Sequence, residues 1–300
     1  MKKQILVKGL GIGLVMLFLF GNVNAVTTHE LGETMLLFEP TLYVGGSGPG
    51  NYSTIGEAIS NAGDGDTIFV YDDSSPYYEH VLVYKQIKLQ GENKETTVID
   101  GNGSGEVITI SADYVIICDF TIEHGNTGIY IDKQSNTTIS NNIIVNNLIH
   151  GIHYYSSCDY NTVTGNVITQ NGENGIYFSS FSEHNSISEN IISYNNNGTS
   201  LAAYANGEIV GNSFEDNTEH GLTLILWCNQ NEIHYNNFIG NGRSVFFYTS
   251  VFNSWNFNYW GRSRVFPKPI FGIVLIIPWI SFDWRPLLTP HQPTLKNVEL

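Results

Sequence analysis

Apolar and polar positions repeat along the middle of the chain with a period of 22 to 24 residues. Within each unit apolar residues alternate with polar ones, which is the period of a β-strand and not of a helix. The clearest copies of one segment are 138–144, 162–168, 186–192, 208–214 and 232–238. Short alternating segments at a fixed period predict the coils of a parallel β-helix, in which each coil buries its inner side chains against its neighbours.

Asparagine recurs at two fixed places in this repeat. A side-chain amide at a turn can accept a hydrogen bond from one neighbouring coil and donate to the other, and Asn tolerates the left-handed conformation of tight turns. We therefore interpret both sets as structural ladders, with steps of about 4.8 Å, and not as a functional site. The first set is Asn142, Asn166, Asn190, Asn212 and Asn236, and the second is Asn147, Asn171, Asn195, Asn217 and Asn241.

Both ends of the repeat carry patterns that predict covers for the open edges of the solenoid. Thr54 and Glu57 form a capping box ahead of an apolar helical face, and Gly63 to Asp66 ends this helix. The first strand is expected at Thr67 to Val70. After Gly261 a Pro-punctuated apolar tail follows, which we interpret as a C-terminal lid.

The amino terminus has the features of a secretory signal peptide, since three lysines precede a short apolar run and a small-residue cleavage site. The predicted organisation is a signal peptide at 1–25, an N-terminal segment with the capping helix at 26–62, β-helix repeats at 63–261 and the lid at 262–300. Retention of the first segment as an anchor stays open.

Several motifs carry a family resemblance, over roughly residues 41–261. The opening segments resemble those of secreted pectin-lyase-like proteins, and the Asn/Ile coils and closing motif resemble the NosD-type branch, also called the carbohydrate-binding and sugar-hydrolase (CASH) repeat. This resemblance implies an all-β, right-handed, single-stranded parallel β-helix, and we expect about eight or nine coils. The family namesake assists copper-site maturation of nitrous oxide reductase, and distant relatives cleave or de-esterify pectin. The motifs are 43–46, 52–59, 63–68, 87–92, 97–101 and 258–261.

Charge narrows the classes of partner. The chain has 13 Lys+Arg against 28 Asp+Glu, a formal net charge of −15, which argues against nucleic acid or an anionic membrane as the main partner. Between Lys133 and Arg243 there is no basic residue and there are nine acidic ones. Because uronate-cleaving enzymes need cations to bind their substrate, a lyase acting on acidic polysaccharide is disfavoured.

A hydrolase of neutral glycans needs two carboxylates about 5 to 9 Å apart. Asp159 and Glu183 lie one repeat apart in the same turn column, so they are the candidate catalytic pair, although solvated acids on exposed turns are the simpler interpretation. Calcium would be compatible with the acidic surface, but no motif with ligand spacing supports it.

Copper would call for Met, Cys or clustered His. Cys158 and Cys228 lie three coils apart in one column, as do His150 and His220. We therefore predict no metal site, and three free thiols with Cys118.

One group of outward-facing side chains remains as a candidate binding site. Strand alternation turns Tyr130, His153 and Tyr177 outward on three successive coils. An aromatic strip of this kind suits sugar rings, although it could also be a ladder that only stabilises the sheet.

The sequence therefore predicts an exported, monomeric protein, secreted, periplasmic or at the cell surface, that interacts with a polysaccharide or cell-surface glycan without catalysis. No nucleic-acid partner and no membrane insertion after signal cleavage are expected. The alternatives are a neutral-glycan hydrolase and, third, a structural surface scaffold or NosD-like accessory protein for a copper enzyme.

Overall fold

A computed structural model describes residues 40–292, and the predicted signal peptide lies outside them. The described chain winds into a right-handed parallel β-helix, as the sequence predicts, with three long sheets along the coil. Among these residues no helix is both long enough and apolar enough to cross a membrane.

The strands are numbered in chain order and grouped here by sheet. The first sheet comprises β1 (Thr41–Val44), β2 (Thr67–Val70), β5 (Lys88–Gly91), β8 (Ile116–Cys118), β11 (Thr138–Ser140), β14 (Thr162–Thr164), β18 (Ser186–Ser188), β22 (Glu208–Val210), β25 (Glu232–His234) and β28 (Ser254–Asn256). The second sheet comprises β4 (Val81–Val83), β7 (Glu106–Ile110), β10 (Thr127–Ile131), β13 (His150–Tyr154), β16 (Asn174–Phe178), β20 (Asn197–Ala202), β24 (His220–Ile225), β27 (Arg243–Tyr248), β29 (Lys268–Val274) and β30 (Ile277–Asp283). The third sheet comprises β3 (Tyr77–Tyr78), β6 (Val98–Asp100), β9 (Thr121–Glu123), β12 (Ile143–Val145), β15 (Val167–Thr169), β19 (Ile191–Ser193), β23 (Ser213–Glu215) and β26 (Asn237–Ile239), and a short pair comprises β17 (Ser182–Glu183) and β21 (Tyr204–Ala205).

Inward-facing side chains form continuous columns inside the coil because the strands pair in register. The middle residue of each three-residue strand in the first sheet is fully buried, and its parallel partner in the next coil is buried too. Burying one such aliphatic side chain stabilises the fold by about 1.5–3 kcal/mol. One column of the first sheet consists of Leu89, Ile117, Ile139, Val163, Ile187, Ile209, Ile233 and Trp255.

Both predicted asparagine ladders are present. The backbone N–H of Asn142 donates to Oδ1 of Asn166 at 2.9 Å, and Nδ2 of Asn142 donates to the same atom at 3.1 Å. The pattern repeats from coil to coil through both sets. A third ladder, which the sequence analysis missed, includes Asn161, Asn185, Asn231 and Asn253.

The N-terminal cover differs in one respect from the prediction. Helix α1 (Ile55–Asn61) begins after Thr54, whose Oγ1 accepts from the N–H of Glu57 at 3.2 Å. However, β1 precedes the helix and pairs in parallel with β2, so the first strand is not Thr67–Val70. The solenoid therefore begins before residue 63.

The C-terminal lid is an antiparallel hairpin that continues the second sheet. Strand β29 pairs in parallel with β27 through two residues, and β30 then pairs antiparallel with β29. With β1 and this hairpin included, two sheets contain ten strands each. The expected eight or nine coils are therefore too few. The first and last coils were missed because they lack the asparagine repeat by which coils can be recognised in the sequence.

Candidate functional site

The predicted aromatic strip lies on the outer face of the second sheet. Tyr130 pairs with His153, and His153 pairs with Tyr177, in the parallel register of β10, β13 and β16. Their neighbours along each strand, such as Ile129 and Ile152, are fully buried. Strand alternation therefore brings the three residues together on the outside of the coil, as the sequence predicts.

The three rings touch but do not form one flat plane. His153 stacks on Tyr177 with ring centroids 4.9 Å apart and an interplanar angle of 19°. Tyr130 meets His153 edge-on, at 5.4 Å and 78°. The strip therefore presents the stacked His153–Tyr177 pair beside a Tyr130 ring that is turned across it.

Two further rings, which the sequence analysis did not assign to this site, complete the cluster. Tyr155, two residues after His153, is 51% exposed and lies 6.1 Å from Tyr130 between ring centroids. His150 is buried and contacts His153 and Tyr177 at 5.0 and 5.1 Å. Tyr155 has the same strand parity as His153, which is the sequence signal that could have identified it.

Both histidines of the cluster are electrically neutral at neutral pH. Burial lowers the pKa of His150 to about 4 from 6.5. Burial, followed by the charge of His150, lowers the pKa of His153 to about 4 as well. Burial also raises the pKa of Tyr130 and of Tyr177. The cluster therefore offers uncharged donors and acceptors. One of them, Nε2 of His153, lies 3.1 Å from Oγ of Ser179, within hydrogen-bond distance.

The candidate catalytic carboxylates lie on neighbouring coils, Asp159 in a connecting segment and Glu183 in the short strand β17. The backbone N–H of Tyr160 donates to the carbonyl of Glu183. Oδ1 of Asp159 accepts from the backbone N–H of Glu183 at 2.7 Å, whereas the Glu183 side chain is 56% exposed. The Asp159 carboxylate thus has a local structural role in joining its segment to β17 of the next coil.

One group of mixed metal-ligating side chains occurs among the described residues. The donor atoms of Asp100, Glu123 and His124 lie within 4.8 Å of one another. His124 Nδ1 is 3.0 Å from Asp100 Oδ2, and this hydrogen bond raises the pKa of His124.

All three cysteines are buried free thiols. Cys158 and Cys228 occupy one column, because each backbone N–H donates to a serine Oγ at the equivalent position of the next coil.

Comparison with known proteins places this geometry in context. Residues 59–262, more than half of the chain, match the family model described as "Periplasmic copper-binding protein (NosD)". A cell surface glycoprotein of Methanothermus fervidus is 32% identical over 104 residues, which are 35% of this chain and 17% of that protein. This chain thus spans a small part of the curated relative that it matches.

Solved structures with similar folds have low sequence identity. An alginate lyase from Paenibacillus sp. str. FPU-7 superposes with a TM-score of 0.56 at 13% identity, covering 70% of this chain and 85% of the lyase. The pectin methylesterase PemA from Erwinia chrysanthemi has a TM-score of 0.51 at 11% identity, covering 87% and 98%. These likenesses establish a pectin-lyase-like fold.

Proposed function

The chain belongs to the NosD family, and we propose that it is an exported surface protein. We further propose that it binds carbohydrate through the aromatic cluster of the second sheet. The cluster consists of Tyr130, His153 and Tyr177 with the added Tyr155 and His150. We propose that it binds without catalysis.

The observation that carries this proposal is the packing of five rings on the outer face of one sheet. Aromatic rings contribute large apolar contacts at small entropic cost, while hydroxyl and imidazole groups at their edges can bond sugar hydroxyls. Because both imidazoles are neutral and acidic residues dominate the surrounding coils, a neutral glycan is favoured over a uronate.

An exported location is supported by the family description, which refers to a periplasmic protein, and by the relative described as a cell surface glycoprotein. The sequence features of residues 1–25 agree with export. In addition, potential N-glycosylation sequons occur at Asn51, Asn102, Asn136 and Asn197.

The test is the Tyr130→Ala/Tyr177→Ala double variant on a glycan array, followed by titration calorimetry with the best ligand. Each ring should contribute ~1 kcal/mol, so the double variant should weaken binding about 30-fold. Tyr78→Ala is the matched control, since Tyr78 is 66% exposed on another sheet. Unchanged glycan affinity combined with a lower melting temperature would favour the structural ladder and the scaffold function instead.

The first alternative, hydrolysis of a neutral glycan, rests on Asp159 and Glu183. It expects Asp159→Asn or Glu183→Gln to eliminate turnover on an oligosaccharide that the protein binds, while the tyrosine variants only weaken substrate affinity. Release of reducing sugar measures this directly. Because Asp159 also bonds the backbone of Glu183, the melting temperature of each variant is the necessary control.

A copper-related function is supported by the family description and by one donor set. Asp100, Glu123 and His124 provide two oxygens and one nitrogen, which suit Cu(II) better than the sulfur-seeking Cu(I). Titration with Cu(II), followed by electron paramagnetic resonance, should then show a mixed nitrogen–oxygen signal that His124→Ala removes and His80→Ala retains.

A further inference from the structure

Charge is strongly polarised along the solenoid, which the net charge of the whole chain conceals. Residues 41–242 carry 23 acidic and four basic side chains, a formal net charge of −19. Residues 243–292 carry five basic side chains and one acidic one, a formal net charge of +4. The single acid, Asp283, is fully buried and accepts from Asn258 and Trp260. The C-terminal end therefore has a cationic surface on an otherwise acidic protein.

Three of these cations fall within seven residues of the sequence and have no carboxylate partner among residues 40–292. Within the described chain, Arg262, Arg264 and Lys268 form no ion pair. Burial, and then the charges of Arg264 and Arg262, lower the pKa of Lys268. In addition, Nε of Arg264 is buried and has no hydrogen-bond partner in the part of the chain that the structure describes. Mutual repulsion of this kind is relieved by an anion from outside the chain.

A pocket of about 440 Å³ opens beside Lys268 and Arg243, where β29 diverges from β27. Arg243 lies over the ring of Phe246 at 5.5 Å, and Lys268 lies over Trp260 at 5.6 Å. Both cations line the pocket. A single anionic group could enter between them.

The lid hairpin beside this pocket exposes an apolar outer face. Phe271 and Ile280 are cross-strand partners and are 60% and 47% exposed. Ile276, in the turn between the strands, is 90% exposed. Phe282 has the same strand parity as Ile280, is 36% exposed, and contacts the ring of Trp284, which is 65% exposed. Exposed apolar surface that is rimmed by tryptophan and cations is typical of segments that lie in a membrane–water interface.

A second copy of the chain fits this surface less well. Strand β30 is the free edge of the second sheet and could in principle pair with another edge. However, Pro278 in β30 has no backbone N–H, which interrupts such pairing. A second copy would also bring a largely acidic surface against an apolar face.

We propose that the C-terminal hairpin is a peripheral docking surface for an anionic lipid bilayer. The apolar face of Phe271, Ile276 and Ile280 lies at the level of the headgroups and upper acyl chains. Arg262, Arg264 and Lys268 bind lipid phosphates, and the rest of the acidic solenoid points away from the membrane. Such docking would hold an exported protein at a membrane surface without a transmembrane helix.

The experiment is flotation of the chain without residues 1–25 on vesicles of phosphatidylglycerol and phosphatidylcholine in equal parts, and on vesicles of phosphatidylcholine alone. We expect binding to the anionic vesicles, at low salt more than at high salt. Arg262→Gln/Arg264→Gln/Lys268→Gln should weaken it about 100-fold, since each cation near an anionic surface contributes roughly a factor of five. Ile276→Ser should weaken it about tenfold.

Matched controls separate docking from unspecific adsorption. Phe181→Ser removes an aromatic side chain that is 71% exposed on another part of the coil, and Lys133→Gln removes an exposed cation there. Both controls should bind vesicles like the unmodified chain. Absence of binding to anionic vesicles, or equal losses in the controls, would overturn the proposal. A lipid-free dimer that Ile276→Ser dissociates would overturn it in favour of a second copy.

Discussion

His150 and His153 lie on the outer face of the second sheet, yet burial lowers the pKa of both imidazoles. His150 is buried against His153 and Tyr177, and Nε2 of His153 lies 3.1 Å from Ser179 Oγ. Because burial disfavours the charged imidazolium, both residues fold in the neutral form. The ring cluster therefore has a built-in sensitivity to acid, whichever ligand it binds.

Protein stability should fall as the pH is lowered from about 6.5 to about 4. The unfolded chain takes up protons on these histidines near pH 6.5, whereas the folded chain resists protonation until about pH 4. The stabilisation is thus complete above pH 6.5 and is lost on acidification. Since His153 is partly exposed, we expect a total of about 2 kcal/mol for the pair.

The measurement is urea unfolding of the unmodified chain and of His150→Gln/His153→Gln at several pH values. The double variant should lose less stability over this pH interval than the unmodified chain. An identical slope in the double variant would contradict the assignment of the acid sensitivity to this pair.

Asparagine ladders are the element that joins the coils where the sheets are interrupted by turns. Asn190 accepts from the backbone N–H and Nδ2 of Asn166, and its own Nδ2 donates to Val163 and Asn212. Each ladder residue thereby pairs buried groups that no strand reaches. Loss of the Asn190 side chain takes a partner from the backbone N–H of Asn166 and from the carbonyl of Val163, both on the preceding coil. On the following coil, Oδ1 of Asn212 still accepts from the backbone N–H of residue 190.

Asn190→Ala should therefore destabilise the protein by about 3 kcal/mol, since each buried group left without a partner costs about 1–3 kcal/mol. Asn196→Ala is the matched control, because Asn196 is half-buried six residues later and stands outside the ladders. We expect the control to change stability by less than about 0.5 kcal/mol in urea unfolding. Equal effects of the two substitutions would refute the role of the ladder.

The predictability of these elements follows from their periodicity. The ladders of Asn142 and Asn147 and the outward placement of Tyr130 could be derived from sequence, because strand parity and coil register are both periodic. The sequence analysis missed the third ladder because Gly207 interrupts the run of asparagines. A Cβ at Gly207 would collide with the ring of Tyr204. As a result, Asn185 Nδ2 has no hydrogen-bond partner among the described residues.

Features that depend on packing between coils could not be derived in this way. The burial of His150 depends on the rings of the next coil, and the turn of Tyr130 across His153 depends on rotamers. Strand β1 was missed because it precedes the helix and lacks the asparagine signature. The function of the ring cluster could not be derived from periodicity either, because it depends on the chemistry of the ligand.

At the scale of the whole molecule, the solenoid is a one-dimensional stack with different covers at its two ends. Each coil contacts only its neighbours, so stability is approximately the sum of coil and interface contributions. At the amino end, Glu79 accepts from the first N–H groups of helix α1. At the carboxyl end, Asp283 takes the place of the next asparagine and accepts from Asn258.

Removal of the Asp283 carboxylate should therefore loosen one end of the molecule and not the whole. In Asp283→Ala, the backbone N–H and Nδ2 of Asn258 and the indole N–H of Trp260 lose their common acceptor inside the protein. Hydrogen exchange should accelerate in the last coils, around residues 232–260, because local opening there no longer breaks these bonds. Coils around residues 88–140 should keep their protection. Glu232→Ala, which removes an exposed acid in the same region, should change neither. Uniform acceleration along the chain would instead mean that the solenoid unfolds as one cooperative unit, which contradicts the additive stack.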